Sequence, residues 1–444
     1  MEDEHGGLHA WARDRDLRFV RFAWVDNDGV LCAQAMGARR LEELARDGLG
    51  VVTGVQAISV DGSLVPTGVG LGAVGQVWLV PDLDSARVLP WEPAHGSVMA
   101  AFVERDGTPW RFCPRQALLR AVGHLRSVGL TLQAAFEHEF MLLRRAGDRL
   151  EHFEASHYAS AHGLDRAGPV LDAIADALEQ QGIGVRTMLK EAGLSQFELS
   201  TEHGEALCAA DRFVAVRETI GAVAARHDLV GTCLPLVFDG EAGNGWHIHF
   251  SLWRGEHNLT GAGDALGGEA RAFVAGILDH LPALLALTTP TPNSFRRLRP
   301  GAWAGAFRAW GFDHKEVPLR VPSERHGAPT NVELKSSDAT ANPYLSLTGL
   351  IAAGLDGIAR GLELPPAIDR DPASFDEAER AARGIVPLPA SLDEALDHLE
   401  ADEALRSALG ADLVRAYVAV KRAEQTALGV LSLEEQVART AESY

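Results

Sequence analysis

An α+β fold in two unequal parts is what this sequence predicts. The first 108 residues read as strands and turns with little helix, whereas the remainder alternates helices with strands that carry polar residues on one face. A chain of 444 residues is also too long for one small core.

In chain order, "LRFVRFAWVDNDGVLCAQAM" is a β-hairpin turning at Asn27-Asp28-Gly29. "ARRLEELARDG" is a short helix ending at Gly48, "GQVWLVPDL" a strand, and "SVMAAFVERDGTPW" a further strand closed by Asp106-Gly107. "CPRQALLRAVGHLRSVG" opens a helix with Pro114 in its first turn, so the division falls into residues 1–108 and 109–444. Helices are expected near 168–182, 210–226 and 267–287. Another runs from Pro343 to Gly361, and the tail from Ser391 to Tyr444 is mostly helical. The larger part reads as a mainly antiparallel sheet with helices around it.

Bulk properties exclude several functions. A net charge of −20 argues against nucleic acid and anionic membranes as main partners. Cys32, Cys113, Cys208 and Cys233 lack metal or redox spacing and read as reduced cysteines of a cytoplasmic protein. The acidic start "MEDEHGGLHAWARDRD" is unlike a signal peptide, and no window reaches the roughly 18 apolar residues of a spanning helix. "GLGAVG" (residues 70–75) fits GxGxxG but precedes a strand, not the helix a dinucleotide site needs, and there is no Walker A motif.

The informative strands have polar faces. Period-2 alternation in "LTLQAAFEHEFMLL" puts Glu137 and Glu139 together, with His138 on the packing face. Two such carboxylates repel unless they are solvated, protonated or bound to a cation. In "KEAGLSQFELS", Gln196 and Glu198 share a face and Glu191 precedes a turn. In "GNGWHIHFSLW", His247, His249, Ser251 and Trp253 oppose Trp246, Ile248, Phe250 and Leu252. The glycines before that strand point to backbone passing close to a ligand. In "NVELKSSD", Glu333 and Lys335 share a face. Inward carboxylates with an imidazole suit hard divalent cations such as Mg²⁺ or Mn²⁺, which would let a polyphosphate enter an acidic cavity. Basic residues in "NSFRRLRPG", "DHKEVPLRVP" and "ELKSSD" would meet phosphates and an anionic substrate.

"EHE", "EAGLSQFE", "GNGWHIH", "NSFRRLRPG", "RVPSERHGAPTNVELK" and "ANPYL" follow one another in the order of the glutamine synthetase family, which the sequence resembles over nearly its whole length. The resemblance implies a small N-terminal β-grasp-like domain, a catalytic domain with a curved sheet, and a homo-oligomeric ring, a decamer or dodecamer, with active sites between subunits. It implies ATP as co-substrate and two or three Mg²⁺ or Mn²⁺ per site. By position, Glu139, Glu191 and Glu198 match the ligands of one metal, and Glu137, His247 and Glu333 those of the other. Arg297 matches a residue that holds the substrate carboxylate, and Arg320 one that contacts phosphate. His249 and Ser251 lie near the nucleotide, and the backbone at Gly243 lines the amino-acid site. The implied reaction moves the γ-phosphoryl group of ATP to a carboxylate, and an amine then displaces phosphate.

Departures from the family fall on the amine and acid sides. Trp303 stands where ammonia-using members carry a loop glutamate, and Thr53 in "VTGVQ" is the counterpart of an ammonium-holding aspartate. An indole suits an alkyl or aryl amine better than a small cation. Lys315 replaces a phosphate-binding arginine, Lys335 an arginine for the α-carboxylate, and Asn331 an arginine near the nucleotide. The expected activity is therefore an ATP-dependent carboxylate–amine ligase forming a γ-glutamyl amide from glutamate or a related acid and an amine other than ammonia. The alternatives are a glutamine synthetase with a variant ammonium site and an inactive structural or regulatory ring.

Overall fold

The computed structural model describes residues 4–147, 149–263 and 265–444. A helix absent from the sequence expectation opens the chain, α1 (Glu4–Arg13). Gly6 and Gly7 weaken its local signal, but Leu8, Trp11 and Ala12 pack into the first core, and that burial overrides propensity.

The first sheet has six strands, all drawn from residues 19–103: β1 (Phe19–Val25), β2 (Leu31–Gly37), β3 (Leu49–Val52), β4 (Gln76–Pro81), β5 (Arg87–Val88) and β6 (His95–Val103). Helix α2 (Leu41–Asp47) packs beside them and ends at Gly48 as expected. Strands β1 and β2 form the hairpin, antiparallel from Phe19↔Gly37 to Val25↔Leu31, while β1 and β6 run parallel. The hairpin tip docks deep in the second part. A Cβ at Gly29 (φ +79°) would sit 2.2 Å from the Thr340 carbonyl, so only glycine fits this approach. Beside it, Asn342 Nδ2 donates to the Asp26 carbonyl at 2.9 Å.

Helix α3 (Pro114–Ser127) begins at Pro114. The large sheet then starts with β7 (Thr131–Ala146), a 16-residue strand, and β8 (Arg149–His152). Helix α4 (Ala161–Gln180) starts earlier than expected because Ser160 caps it by accepting the Gly163 N–H, and Pro169 lies inside it. Strands β9 (Val185–Lys190), β10 (Gln196–Thr201) and β11 (Gly204–Glu205) lead to α5 (Ala206–Arg226) and β12 (Val230–Thr232). After β13 (Ile248–Arg254) come three two-residue strands, β14 (His257–Asn258), β15 (Gly261–Ala262) and β16 (Ala265–Leu266). Helices α6 (Gly268–Thr288) and α7 (Ser294–Arg297) precede β17 (Trp310–Phe312), β18 (Leu319–Val321) and β19 (Val332–Leu334). The rest is helical: α8 (Pro343–Arg360), α9 (Glu377–Arg383), α10 (Leu392–Ala401), α11 (Glu403–Leu409), α12 (Ala411–Leu428) and α13 (Leu433–Thr440). The main sheet order is β17-β18-β19-β13-β7-β10-β9, antiparallel except for β17–β18. This is the α+β architecture the sequence predicts.

One expectation needs correcting. Helix α6 is long and apolar enough to cross a membrane by length and composition, with mean hydropathy 1.5 over its best window. That window is 72% buried inside the fold, where α6 packs on α8 and α10. Its apolarity is that of a core helix surrounded by other helices.

Candidate active site

The site is written on β7 and its neighbours. Register places Glu198 of β10 directly opposite Glu139 of β7, and Ser200 opposite Glu137. Like charges directly opposite one another destabilise a sheet, so the pairing carries a cost that packing alone does not explain. Behind them the alternation holds: Trp246, Ile248, Phe250 and Leu252 are buried, and so is His138. His138 lies edge-on to Trp246 at 4.5 Å, and burial holds its pKa down near 3, so it stays a neutral packing residue.

On the polar face the expected residues converge. His247 Nδ1 lies 3.0 Å from Glu137 Oε2 and 3.2 Å from Glu333 Oε1, and its Nε2 is 3.1 Å from Arg297 Nη2. His249 Nε2 is 3.0 Å from Glu137 Oε1, and its Nδ1 is 2.9 Å from Asn331 Oδ1. Arg320, opposite Glu333 in the β18–β19 pair, brings Nε within 3.0 Å of Glu333 Oε2, and Lys335 Nζ is 3.4 Å from Oε1. Glu137, His249 and Glu333 offer donor atoms within 4.8 Å of one another. The geometry thus brings His249 as close to a cation position as His247, whereas sequence reasoning placed only His247 there.

Electrostatics separates the two ends of the face. Burial would raise the carboxyls of Glu137 and Glu333, but hydrogen bonds from His247, joined at Glu137 by His249, outweigh it. Both carboxyls fall well below the usual range. His249 rises to about 9: burial opposes this, and the Glu137 carboxylate overcomes it. At the other end, burial and the charges of Glu137, Glu139 and Glu191 push Glu198 up to about 8, and burial with Glu139 raises Glu191. Neither Glu191 nor Glu198 has an ion-pair partner among the described residues. Carboxylate oxygens and an imidazole gathered this closely fit divalent cations.

Two cavities meet at Glu137. One, of about 770 Å³, is lined by Glu139, Glu191, Glu198, His247, Arg297, Lys315, Lys335, Gly243 and Trp303. The other, of about 470 Å³, is lined by His249, Ser251, Trp253 and Asn331. Trp303 is 58% exposed at the larger cavity, with a left-handed backbone (φ +55°). Its N–H and that of Gly301 each donate to Glu316 at 3.3 Å. Thr53 lines neither cavity of this chain; its hydroxyl donates to the Val74 carbonyl at 3.0 Å.

Several contributors were missed. Gln196 is the organiser: its Nε2 reaches Glu139 Oε2 (3.3 Å), the Gly243 carbonyl (3.0 Å) and Asn244 Oδ1 (3.0 Å). Its place on the Glu198 face was the available signal. Buried Lys190 holds the turn after Glu191, donating to the carbonyls of Glu191 (2.8 Å) and Gly193 (2.6 Å). Tyr158, 53% exposed, lines the large cavity, and nothing local in "EASHYASAHG" marks it. The glycines before β13 serve internal packing. A Cβ at Gly245 would lie 2.2 Å from His247 Nε2, and one at Gly243 would lie 2.2 Å from the Pro235 carbonyl.

The described structure thus sets an acidic face of a mainly antiparallel sheet between two cavities. The model of the glutamine synthetase catalytic domain matches residues 111–437. The chain belongs to the glutamine synthetase family. It is 39% identical over 417 residues to gamma-glutamylpolyamine synthetase GlnA3 of Streptomyces coelicolor, covering 91% of this chain and 89% of that one. It is 30% identical over 459 residues to type-1 glutamine synthetase 1 of Dictyostelium discoideum (97% and 91% covered). A solved GmaS/ADP complex superposes with TM-score 0.86 at 28% identity, covering 98% of this chain and 99% of that one. The family uses ATP and divalent metals.

Proposed function

We propose that this chain joins the γ-carboxylate of glutamate, or of a related acid, to an amine other than ammonia, working in the cytoplasm as a homo-oligomeric ring. Trp303 carries this reading: a large, exposed indole stands at the cavity mouth where a carboxylate would serve ammonium. The similarity to a polyamine-named relative supports it.

In this reading, Glu139, Glu191 and Glu198 hold one divalent ion and Glu137, His247 and Glu333 a second. Such ions supply charge that balances a polyphosphate. Arg297 and Lys335 bind and orient the acid from their buried positions. His249 and Ser251 line the nucleotide side, and Lys315 and Arg320 meet the phosphates. The acid's carboxylate oxygen takes the γ-phosphoryl group, releasing ADP. The amine then forms a bond to the carbonyl carbon as the carbon–oxygen bond to phosphate breaks, and the proton leaves with the phosphate. Trp303 and Tyr158 offer the amine π-faces.

The test is phosphate release with ATP, Mg²⁺ and glutamate across ammonia, methylamine, putrescine, spermidine, ethanolamine and aniline. We expect kcat/KM for the best organic amine to exceed that for ammonia by about 100-fold, a difference of about 2.7 kcal/mol in transition-state binding. Trp303→Glu should narrow the gap. Fastest turnover with ammonia would overturn the proposal in favour of a glutamine synthetase, the reading that the 30% identical relative supports.

A further inference from the structure

Beside the large cavity, two loops are stitched together by a buried ion pair. The turn from Glu191 to Ser195 joins β9 to β10, and the segment from Phe153 to Ser160 joins β8 to α4. Glu191 and Tyr158, one from each loop, line the cavity, whereas Lys190 and Glu154 do not. Lys190 is completely buried and Glu154 is 3% exposed.

The Lys190 ammonium has three donors, and each has a partner: the Glu191 carbonyl at 2.8 Å, the Gly193 carbonyl at 2.6 Å and Glu154 Oε1 at 3.4 Å. Glu154 divides its oxygens between the loops. Oε1 accepts the Ser195 N–H at 3.0 Å, and Oε2 the Ser156 N–H at 2.8 Å. Ser195 Oγ answers both main-chain groups of Glu154, accepting its N–H and donating to its carbonyl, each at 2.9 Å. The Ala159 N–H, next to Tyr158, donates to the Lys190 carbonyl at 2.9 Å. Ser195 (φ +58°) and Ala159 (φ +55°) both hold left-handed backbone, which residues other than glycine keep only where their surroundings dictate it. A buried ion pair is a weak source of stability compared with apolar side chains of the same volume. What this one does is hold two loops in a single register.

We propose that Lys190 and Glu154 are positioning residues that set Glu191 and Tyr158 at a fixed separation, so that one clamp builds the metal side and the amine side of the cavity together. This rests on the reading in which Glu191 helps to hold a divalent ion and Tyr158 faces the amine. The Glu191 carboxylate accepts the Ala192 N–H at 2.9 Å inside the clamped turn. The same turn gives the Gly193 N–H to Gln196 Oε1 at 2.7 Å, and Gln196 in turn reaches Glu139. A displaced turn therefore moves one carboxylate of the metal side and the residue that orients another.

Lys190→Met alone would strand a buried carboxylate and confound folding with function. The test therefore uses the Lys190→Met/Glu154→Gln double variant, which leaves no charge unpaired. Mn²⁺ affinity is read without nucleotide, from the electron paramagnetic resonance signal of the free ion. KM is read at saturating Mg²⁺ for ATP and for the fastest amine of the panel above. We expect Mn²⁺ to bind about tenfold more weakly and the amine KM to rise about tenfold, with the ATP KM within about twofold of the wild type. Ser195→Gly keeps the ion pair and tolerates the left-handed backbone but removes the hydroxyl bridge, and should show the same pattern at about threefold. A clamp that serves stability alone would lower the urea midpoint and leave Mn²⁺ affinity and both KM values unchanged, which overturns the proposal. A change confined to the metal or to the amine overturns it too, as does wild-type behaviour of Ser195→Gly if the double variant does not fold. If the wild type itself binds no Mn²⁺, the reading beneath falls and the proposal with it, which tells the two failures apart.

Discussion

Two clusters of buried charge in this protein are built on opposite plans. At the hairpin tip, Lys421 of α12 is fully buried, with Nζ 2.8 Å from Asp28 and 2.7 Å from Glu424. The lysine is the hub, gathering Asp28 from the distant hairpin and Glu424 from one turn further along α12. On the catalytic face the hub positions belong to carboxylates. Glu139 faces Glu198 across the sheet and Glu191 stands nearby, and neither Glu191 nor Glu198 has an ion-pair partner among the described residues. The first cluster centres on a fixed cation and locks the hairpin onto the helical tail. The second crowds carboxyls together without such a hub, and burial with the neighbouring charges raises the pKa values of Glu191 and Glu198, Glu198 to about 8.

Breaking each cluster should therefore give opposite results. Lys421→Met strips the hub cation from two buried carboxylates and should cost about 3–5 kcal/mol, read as an earlier midpoint in urea. A variant as stable as the wild type would show that the two clusters are not different in kind. Glu198→Gln removes one of the opposed carboxylates. It should leave the metal-free protein as stable or raise its Tm by about 1–3 °C, while lowering kcat/KM by at least about 100-fold. Mg²⁺ should raise the Tm of the wild type far more than that of this variant. Loss of stability in metal-free Glu198→Gln would sink the contrast.

A smaller effect comes from a third arrangement. His280 of α6 sits with Nδ1 2.6 Å from Asp402 and Nε2 2.9 Å from Asp356. Burial opposes its protonation, but the hydrogen bonds to Asp402 and Asp356 prevail and raise its pKa to about 8. Because the folded value lies above the unfolded one, the stabilisation is full below about pH 6.5 and is lost as pH rises through about 8. Denaturant midpoints should fall across that window by the equivalent of about 1–2 kcal/mol, and His280→Gln should flatten the slope.

Much of the catalytic face was legible because a strand's period of two is rigid. Once Glu137 and Glu139 share a face, so must their neighbours across the register. The family motifs then fixed which strands meet. Less legible were features whose cause lies elsewhere in the chain. Helix α1 forms because a sheet buries Leu8 and Trp11, not because its glycines favour a helix. Gln196 showed its face but not its three partners. Glu316, which holds the Trp303 loop, lies outside any motif. The nearness of His249 to Glu333 depends on β19 lying beside β13, a pairing between residues far apart in sequence.

Glu137 borders both cavities, so under the proposed function the reaction centre lies where the two meet. Under the proposed reading, nucleotide exchanges through one while acid, amine and amide pass through the other. Neither traffic has to wait for the other to clear. Spent nucleotide should then compete with ATP but not with the amine, and a long amine can leave its far end in solvent while its near end reacts.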